Sequence, residues 1–275
     1  MIDIIIPVYN TPTIDLERCF NSINKQTFND YKVYLIDDGS NNETKAYLDN
    51  YVKDNDHYIV NHINNGGVSN ARNIGIEISN SKYLTFVDSD DTLEESFLEE
   101  AYELIEDNNL DLIIGGYNEI ENGVVTRVRK SLPGLYIYEN DSINNFKEKL
   151  ISGKTSDRNK EINDLPTGRI YTRVFKRDSL KNLKFNTNLH ISEDTLFMID
   201  YVTSDKRIGI IDKVWYNYYI NSYSISNNTD IDRIKDFIKE IEIRLENENN
   251  NIIKEAYKQR IIKANNYIKE IYENN

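Results

Sequence analysis

The first half of the chain alternates short strand-like segments with helix-like segments, and this alternation restricts the fold more than any other feature. Five Val- and Ile-rich segments have the length of strands: Asp3–Pro7, Lys32–Ile36, Tyr58–Asn61, Tyr83–Val87 and Asp111–Gly115. Helical spacing fills the intervals at Ile14–Lys25, Glu43–Asp54, Val68–Ser79 and Leu93–Asn108. Strands that alternate with helices predict an α/β fold with a mainly parallel sheet.

A group of acids follows the fourth predicted strand, where Asp88, Asp90 and Asp91 end an apolar run. If the backbone stays extended, Asp88 and Asp90 point the same way, because side chains two apart in a strand share a face. Two close carboxylates favour a cation between them, and oxygen ligands select Mg²⁺ or Mn²⁺. We therefore interpret this run as a metal–diphosphate site. A helix N-cap could instead explain Asp90 or Asp91. That alternative leaves Asp88 unexplained.

Polar residues also follow the first three predicted strands. They are Pro7, Tyr9 and Asn10 after the first strand, Asp37–Ser40 after the second and Asn64–Gly67 after the third. In parallel α/β sheets, ligands collect at the carboxyl ends of the strands. Four polar clusters on one edge of a sheet therefore predict a binding site there.

The Asp37–Ser40 segment has two interpretations. Asp, Gly and Ser favour turns, and in isolation a plain turn is the commoner explanation. Its place at the end of a strand favours a functional role instead. In that role Asp38 accepts a hydrogen bond from the edge of a base, and Asp37 supports the loop.

The segment from Asn65 to Asn73 opens a helix through a pair of glycines. Glycines let the backbone approach a ligand closely, and a helix N-terminus favours anions. Arg72 lies about one turn into this helix and could reach a phosphate as a fork-shaped donor. The alternative is a glycine-rich turn with Arg72 in a surface salt bridge. The spacing matches neither a dinucleotide fingerprint nor a P-loop.

Two acids, Glu193 and Asp194, begin a predicted helix in the second half of the chain. One interpretation is structural, because Ser192 and these acids would cap the helix and stabilise its N-terminus. The other interpretation is a general base that accepts a hydroxyl proton. Spacing in the sequence does not choose between them.

Charge, cysteine content and hydropathy exclude several classes of protein. The net charge of −13 argues against nucleic acid as a partner, because phosphate binding needs clustered Lys and Arg. The single cysteine excludes an internal disulfide and fits a reducing compartment. No window approaches the roughly 20 apolar residues of a membrane span, and no signal peptide is recognisable. We expect a cytoplasmic protein, at most attached to the inner face of the plasma membrane. Structural roles are expected for His57, His62, His190 and Cys19.

Beyond Asp230, apolar residues recur at helical spacing in two runs. The runs are Ile234–Leu245 and Ile253–Ile271, and the Asn247–Asn251 tract between them predicts a helix break. We expect these helices to pack on the catalytic body or to form a homo-oligomer. A role at a membrane surface is the weaker alternative.

Taken together, these segments resemble glycosyltransferase family 2, a group of inverting enzymes with the GT-A fold. The matching stretches are Ile4-Ile-Ile-Pro-Val-Tyr-Asn10, Ile23-Asn-Lys-Gln-Thr27, Ile36-Asp-Asp-Gly-Ser40, Asn65-Gly-Gly-Val-Ser-Asn-Ala-Arg-Asn73 and Phe86-Val-Asp-Ser-Asp-Asp91. Weaker similarities lie at Ser192–Asp194 and Tyr223–Ser226. The resemblance implies a GT-A catalytic domain at residues 1–226 and a helical segment at residues 227–275. Within that domain, residues 1–116 would bind the nucleotide-sugar and residues 117–226 the acceptor.

The resemblance also implies a role for each matching residue. The nucleotide-sugar donor would be held by Pro7, Tyr9, Asp38, Asn65, Gly66, Arg72, Asp88 and Ser89. Of these, Pro7, Tyr9 and Asp38 would hold the base, usually uracil in this family. Asp90, with Asp88, would bind the Mn²⁺ or Mg²⁺ that bridges the diphosphate. Asp194 would deprotonate the acceptor hydroxyl, with Glu193 as its neighbour.

The resulting expectation is a metal-dependent, non-processive inverting glycosyltransferase. It would move a sugar from a UDP-sugar to a hydroxyl of a glycan, polymer or lipid-linked acceptor, in bacterial polysaccharide, teichoic acid or glycoconjugate synthesis. The Gln-x-x-Arg-Trp motif of processive members is missing, and the only tryptophan is Trp215. Two rival functions are a nucleotidyltransferase of similar fold and a catalytically silent nucleotide- or glycan-binding module.

Overall fold

One sheet of ten strands runs through the part of the chain that the computed structural model describes, which is residues 1–153, 168–221 and 230–273. The strands are β1 (Ile2–Val8), β2 (Tyr31–Asp37), β3 (Tyr58–His62), β4 (Tyr83–Phe86), β5 (Thr92–Leu93), β6 (Leu112–Glu121), β7 (Val124–Arg129), β8 (Leu135–Tyr138), β9 (Arg173–Lys176) and β10 (Ile208–Tyr219). The helices are α1 (Thr13–Asn24), α2 (Asn42–Lys53), α3 (Val68–Ile78), α4 (Phe97–Asp107), α5 (Ser142–Ser152), α6 (Arg177–Leu180), α7 (Glu193–Tyr201), α8 (Ile231–Asn247) and α9 (Asn251–Glu273). The predicted α/β fold with flanking helices is confirmed.

The first four strands lie in the order β3-β2-β1-β4, and each neighbouring pair is parallel. β1 is buried along nearly its whole length, as is typical of a parallel strand with both faces covered. Gly75 of α3 packs so closely on β1 that a Cβ there would lie 2.3 Å from Cγ2 of Ile5. Because these strands are parallel, the loops that follow them meet at one edge of the sheet.

The second half of the sheet is mixed. β9 is antiparallel to β4 on one side and to β6 on the other, so it joins the two halves. β10 runs parallel to β6 but antiparallel to β5 and β8. Trp215 of β10 is fully buried, and its indole N–H donates to the Glu100 carboxylate at 2.8 Å. The single tryptophan is therefore part of the core.

The segment after the acidic run differs from its prediction. We expected a helix from Leu93, but β5 forms there and α4 begins only at Phe97. Pairing of β5 with β10 overrides the helical spacing of this segment. The N-cap position of α4 is Ser96, so the N-cap alternative for Asp90 and Asp91 is wrong.

The C-terminal helices α8 and α9 pack on the rest of the described chain. Five of their side chains belong to the main core: Phe237, Ile241, Ile253, Ala256 and Tyr257. The Lys263 amino group also donates to the carbonyl of Ser152 at the end of α5, at 2.7 Å. α8 ends at Asn247 and α9 begins at Asn251, so the predicted helix break is confirmed.

The boundary proposed between residues 226 and 227 lies outside the described residues, as does the Tyr223–Ser226 element. None of the described helices combines the length and the apolar character needed to cross a membrane.

Candidate active site

Hydrogen bonds connect the loops after β1 and β2, and the aromatic ring of Tyr9 between them is exposed to solvent. The backbone N–H of Asn10 donates to the Ser40 hydroxyl at 3.0 Å, and the Asn41 backbone N–H donates to the Asn10 side chain at 2.8 Å. Tyr9, between Pro7 and this link, is 52% exposed. An exposed ring held on a fixed loop is suited to stack on a flat ligand.

Both carboxylates of the Asp37–Asp38 pair brace neighbouring loops. Asp37 accepts from the Ser40 backbone N–H at 2.9 Å, which agrees with its predicted supporting role. Asp38 accepts from the backbone N–H groups of Gly66 and Gly67, both at 2.8 Å, and its carbonyl accepts from the Asn65 amide at 3.0 Å. Sequence reasoning gave loop support to Asp37 alone. Contact between Asp38 and a base stays a prediction, and it would have to use the remaining lone pairs.

Replacing His62 with glutamine is expected to remove a stabilising contribution that is confined to mildly acidic pH. Burial opposes the charge on His62, but hydrogen bonds with Asp37 and Asp49 outweigh it and raise the pKa of His62 above its ordinary value. Burial also acts against Asp37, yet the hydrogen bonds from Ser40 and His62 lower the pKa of Asp37. The ion pair therefore stabilises the fold most between pH 3.9 and 6.5, roughly the pKa values of Asp and His in an unfolded chain. The contribution of His62 to stability is lost as the pH rises through the pKa of His62 in the folded protein.

The measurement is urea unfolding of the wild type and His62→Gln from about pH 5 to about pH 9. The expected difference is largest at the acidic end and stays below about 1 kcal/mol, because the imidazole is 34% exposed. His57→Gln is the control, since the His57 ring faces the Tyr31 carbonyl rather than a carboxylate. A difference that stays constant across this pH range would contradict the prediction.

The acidic run after β4 forms a turn. β4 ends at Phe86, and the Asp91 backbone N–H donates to the Asp88 carbonyl at 3.1 Å. The extended backbone assumed for Asp88 and Asp90 is therefore wrong. Burial and then the charge of Asp88 raise the pKa of Asp90 above its ordinary value. The Ser89 hydroxyl is hydrogen-bonded to the Thr11 hydroxyl at 2.7 Å, which ties the turn to the loop after β1.

Asp91 fixes this turn from the interior. Its carboxylate accepts from the Tyr216 hydroxyl at 2.7 Å and from the Tyr219 backbone N–H at 2.8 Å. The same Tyr216 hydroxyl accepts from the Asp88 backbone N–H at 3.1 Å. Burial, followed by the charges of Asp90 and Asp88, raises the pKa of Asp91 well above its ordinary value. Asp91 is therefore a supporting residue that is fully buried, whereas the side chain of Asp88 is 31% exposed.

Asp90 is held by two residues that sequence reasoning missed. Its carboxylate accepts from the Asn221 amide at 3.0 Å, and its backbone carbonyl accepts from the Arg18 guanidinium at 2.6 Å. Arg18 also pairs with Asp15 at 2.7 Å and stacks 3.9 Å from the centre of the Tyr219 ring. Arg18 sits in an ordinary helical pattern, so the sequence carries no signal of these long-range contacts.

Arg72 connects the two parts of the site. Its guanidinium donates to Asp88 at 3.1 Å and to Glu193 at 2.9 Å, and its side chain is 6% exposed. The surface salt-bridge alternative is wrong, because this ion-pair network is largely buried. The acids that follow β4 and the acids that begin α7 therefore lie within the reach of one arginine.

Asp194 lies in the first turn of α7, beside Glu193. Burial and then the charge of Glu193 raise the pKa of Asp194 to about 6, and the charge of Arg72 opposes this rise. A carboxylate with such a pKa is suited to accept a proton near neutral pH. The hydroxyl of Ser192 makes no capping hydrogen bond, so the capping interpretation is wrong for that residue.

The acids at this edge fit a hard divalent cation that also binds phosphate. Asp88 and Asp90 offer only oxygen ligands, and a cation between them would relieve their repulsion. No group of three or more His, Cys, Asp or Glu side chains within the described ranges is arranged to enclose a metal ion. Mg²⁺ commonly takes one or two carboxylates and completes its shell with substrate phosphates and water. Two carboxylates are therefore enough to bind Mg²⁺ if a diphosphate supplies further oxygen ligands.

The cysteine and His57 have structural roles, as predicted. The thiol of Cys19 is buried 3.8 Å from the Asp88 carbonyl. Burial, followed by the charges of Asp91 and Asp90, raises the pKa of this thiol well above its ordinary value. A protonated thiol is a poor nucleophile. The ring of His57 stacks on that of Tyr31, with 4.7 Å between the ring centres.

Comparison with known proteins identifies the family. A sequence profile described as Glycosyl transferase family 2 matches residues 3–184. The chain belongs to this family. Relatives of this chain include the poly(ribitol-phosphate) beta-N-acetylglucosaminyltransferase TarP of Staphylococcus aureus, which is 31% identical over 240 residues, or 84% of this chain and 66% of TarP. Glycosyltransferase GlyG of Streptococcus pneumoniae is 34% identical over 118 residues, or 42% of this chain and 39% of GlyG. The chain thus spans less than two thirds of either relative.

Solved structures show the same fold. Staphylococcus aureus TarS 1–349 in complex with UDP has a TM-score of 0.64 and 20% identity, and the match covers 87% of this chain and 65% of that one. The mannosyltransferase PcManGT from Pyrobaculum calidifontis, in complex with GDP-Man and Mn²⁺, has a TM-score of 0.62 and 13% identity, with coverages of 94% and 68%. At these identities the likeness concerns the fold, and the GT-A prediction for this family 2 chain is confirmed.

Proposed function

We propose that the protein is a non-processive, inverting glycosyltransferase that moves a sugar from a UDP-sugar to an acceptor hydroxyl, assisted by Mn²⁺ or Mg²⁺. Its setting would be the synthesis of a bacterial surface polymer, such as a teichoic acid, or of another glycoconjugate. TarP and GlyG, by their names, are glycosyltransferases, and TarS was solved with UDP and with UDP-GlcNAc. These relatives favour a UDP-sugar as the donor.

One observation carries the proposal, namely that Arg72 binds Asp88 and Glu193 at the same time. Asp88 belongs to the acidic turn proposed to hold the donor diphosphate, and Glu193 adjoins Asp194, the proposed base. A base must lie within hydrogen-bond reach of the hydroxyl that it activates. If these roles are correct, the link through Arg72 would bring the donor and the base together, as a direct displacement requires.

The proposed reaction is a single displacement at the anomeric carbon. The acceptor oxygen attacks this carbon while the bond to the diphosphate breaks, and Asp194 takes the hydroxyl proton. The sugar gains oxocarbenium character in the transition state. One displacement inverts the anomeric centre and requires one base and no covalent nucleophile. Glu193 would keep Asp194 basic through its charge, and Arg72 would hold Glu193 in place.

The donor would lie along the edge formed by the loops after β1 to β4. Pro7, Tyr9 and Asp38 would hold the base. The proposed contacts along the remainder of the donor are Asn65, Gly66, Arg72, Asp88 and Ser89. The Gly66–Gly67 backbone is fixed by Asp38, so base binding and the position of this loop would be coupled.

Asp90 and Asp88 would hold the divalent cation. When bound, the cation neutralises the negative charge that develops on the departing diphosphate. Arg18, Asn221 and Asp91 would keep the acidic turn in position. This assignment of roles predicts that Asp90 is needed for metal-dependent turnover.

Replacing Asp90 with alanine is expected to abolish metal-dependent release of UDP. The assay measures UDP from a panel of UDP-sugars with Mn²⁺ or with EDTA, and it relies on slow hydrolysis of the donor, so the acceptor need not be known. We expect release from one donor, dependent on Mn²⁺, and at least about 100-fold lower in Asp90→Ala, which corresponds to roughly 2.7 kcal/mol. Asp178→Ala, at an exposed position of α6, is the matched control.

Other outcomes would point elsewhere. Equal release with EDTA and Mn²⁺, or by Asp90→Ala, would reject the metal role. Release of pyrophosphate from a nucleoside triphosphate would replace the proposal with a nucleotidyltransferase. Binding of UDP in a titration with Mn²⁺, without turnover of any nucleotide-sugar, would indicate a silent binding module.

A further inference from the structure

A partly buried cation, Arg169, lies beside the proposed base. The guanidinium of Arg169 donates to the hydroxyl of Tyr171. No Asp or Glu of residues 1–153, 168–221 or 230–273 forms an ion pair with it, whereas Arg72 nearby pairs with two acids. Buried charges in proteins are normally paired, because desolvation of a lone charge is costly. An arginine to which the described residues offer no paired acid therefore suggests that a ligand supplies the anion.

Tyrosine rings hold this arginine in place. Its guanidinium carbon lies 5.3, 5.5 and 5.1 Å from the ring centres of Tyr117, Tyr171 and Tyr218. Tyr171 in turn stacks on Tyr216, with 4.5 Å between the ring centres and 5° between the planes. Aromatic faces attract a guanidinium but do not neutralise it. The rings therefore orient Arg169 and leave its charge available.

The backbone places Arg169 next to the proposed base. A Cβ on Gly168 would lie 2.1 Å from Oγ1 and 2.5 Å from Cβ of Thr195, so this segment packs directly on the first turn of α7. Thr195 follows Asp194 in the chain. The charge of Arg169 also reaches the base: burial and Glu193 raise the pKa of Asp194, and Arg72 and Arg169 act in the opposite direction.

The tyrosines around Arg169 belong to different strands from those that precede the proposed donor contacts. The proposed donor residues follow β1 to β4, on one side of β9. The tyrosines that hold Arg169 lie on β6 and β10, on the other side of β9, and just before β9 itself. Because the Gly168–Arg169 segment also adjoins Asp194, which would take the proton of the acceptor hydroxyl, the anion would come from the acceptor.

We propose that Arg169 binds an anionic group of the acceptor, a phosphate or carboxylate, so that the enzyme glycosylates a hydroxyl of a negatively charged polymer. This inference rests on the proposed function, because it assigns the acceptor of that transfer. The planar fork of a guanidinium matches two oxygens of either group. An anion bound beside Asp194 would place a nearby hydroxyl within reach of the base.

Calorimetric titration of the whole protein, saturated with UDP and Mn²⁺, tests the proposal. The probes are a poly(ribitol-phosphate) oligomer, an oligosaccharide of glucuronate units and a neutral dextran oligomer of similar length. We expect one anionic oligomer to bind at least about tenfold more tightly than dextran, and Arg169→Gln to weaken that binding at least about tenfold, the scale of one charge-assisted contact. Arg233→Gln removes the same charge from α8, where Arg233 pairs with Asp230, and is expected to bind like the wild type.

The titrations also separate the possible failures. Equal binding of charged and neutral oligomers, no binding of any oligomer, or unchanged binding by Arg169→Gln would overturn the proposal. A parallel titration with UDP is expected to give the same affinity for the wild type and Arg169→Gln. A loss of UDP affinity would assign the arginine to the donor diphosphate and also overturn the proposal. The proposed function is tested separately, by hydrolysis of the donor. If the acceptor proposal fails in the titrations, the transferase activity can therefore still be measured, and the reverse also holds.

Discussion

Replacing Asp194 with asparagine is expected to lower kcat for sugar transfer by about 10²–10⁴-fold, the range for loss of a general base. Asparagine has the shape of aspartate and can still accept the hydrogen bond that the Thr195 backbone N–H donates at 2.7 Å. It cannot take the proton of the acceptor hydroxyl. The first turn of α7 should therefore keep its structure while the chemical step slows.

The pH profile provides a second test of the same residue. Because the pKa of Asp194 is raised to about 6, the proposed base would be protonated and inactive below that pH. We expect kcat/KM of the wild type to rise with pH through about 6 and then level off, and this rise to be absent from Asp194→Asn.

Two controls accompany this variant. Asp178→Asn makes the same chemical change at an exposed position and is expected to keep wild-type activity. UDP binding by Asp194→Asn should also be unchanged, which separates loss of the base from loss of the donor site. A variant that kept most of its activity, or that kept the pH-dependent rise, would remove Asp194 from the mechanism.

The parallel half of the fold is predictable because local and long-range preferences agree there. β1 to β4 are apolar runs of strand length separated by amphipathic helices, and pairing in the sheet only confirms what each segment favours. The segment after Asp91 is different. Its spacing favours a helix from Leu93, but the backbone finds a partner strand in β10, which lies more than a hundred residues away. Contacts between distant parts of the chain decide such segments.

The candidate site also combines features that the local sequence predicts with features that depend on contacts between distant residues. Its acids and glycines are recognisable because they follow strands, and parallel strands bring their ends together. The partners of these residues are not recognisable. Arg18 reaches Asp90 and Tyr216 reaches Asp91 only in the folded chain, and neither belongs to a pattern that suggests this contact. Residue type and local position indicate candidate ligand-binding groups, whereas the residues that orient them depend on tertiary structure.

Replacing Arg72 with methionine is expected to destabilise the fold by about 3–5 kcal/mol, because removal of one partner from a buried ion-pair network leaves the other charges uncompensated. Methionine fills much of the volume of the arginine stem, so the effect reports mainly on charge. The carboxylates of Asp88 and Glu193, whose side chains are 31% and 14% exposed, would face each other without a cation between them. Chemical denaturation at neutral pH measures the loss.

A double variant separates this charge effect from loss of packing. Adding Glu193→Gln to Arg72→Met removes one of the two uncompensated charges, so the double variant should be more stable than Arg72→Met alone. In the presence of Arg72, Glu193→Gln removes a favourable pair and should destabilise instead. This reversal of sign is a coupling between two residues in contact. Additive effects of the two substitutions would show that Arg72 acts by packing alone, and the proposed link between the donor side and the base would lose its electrostatic basis.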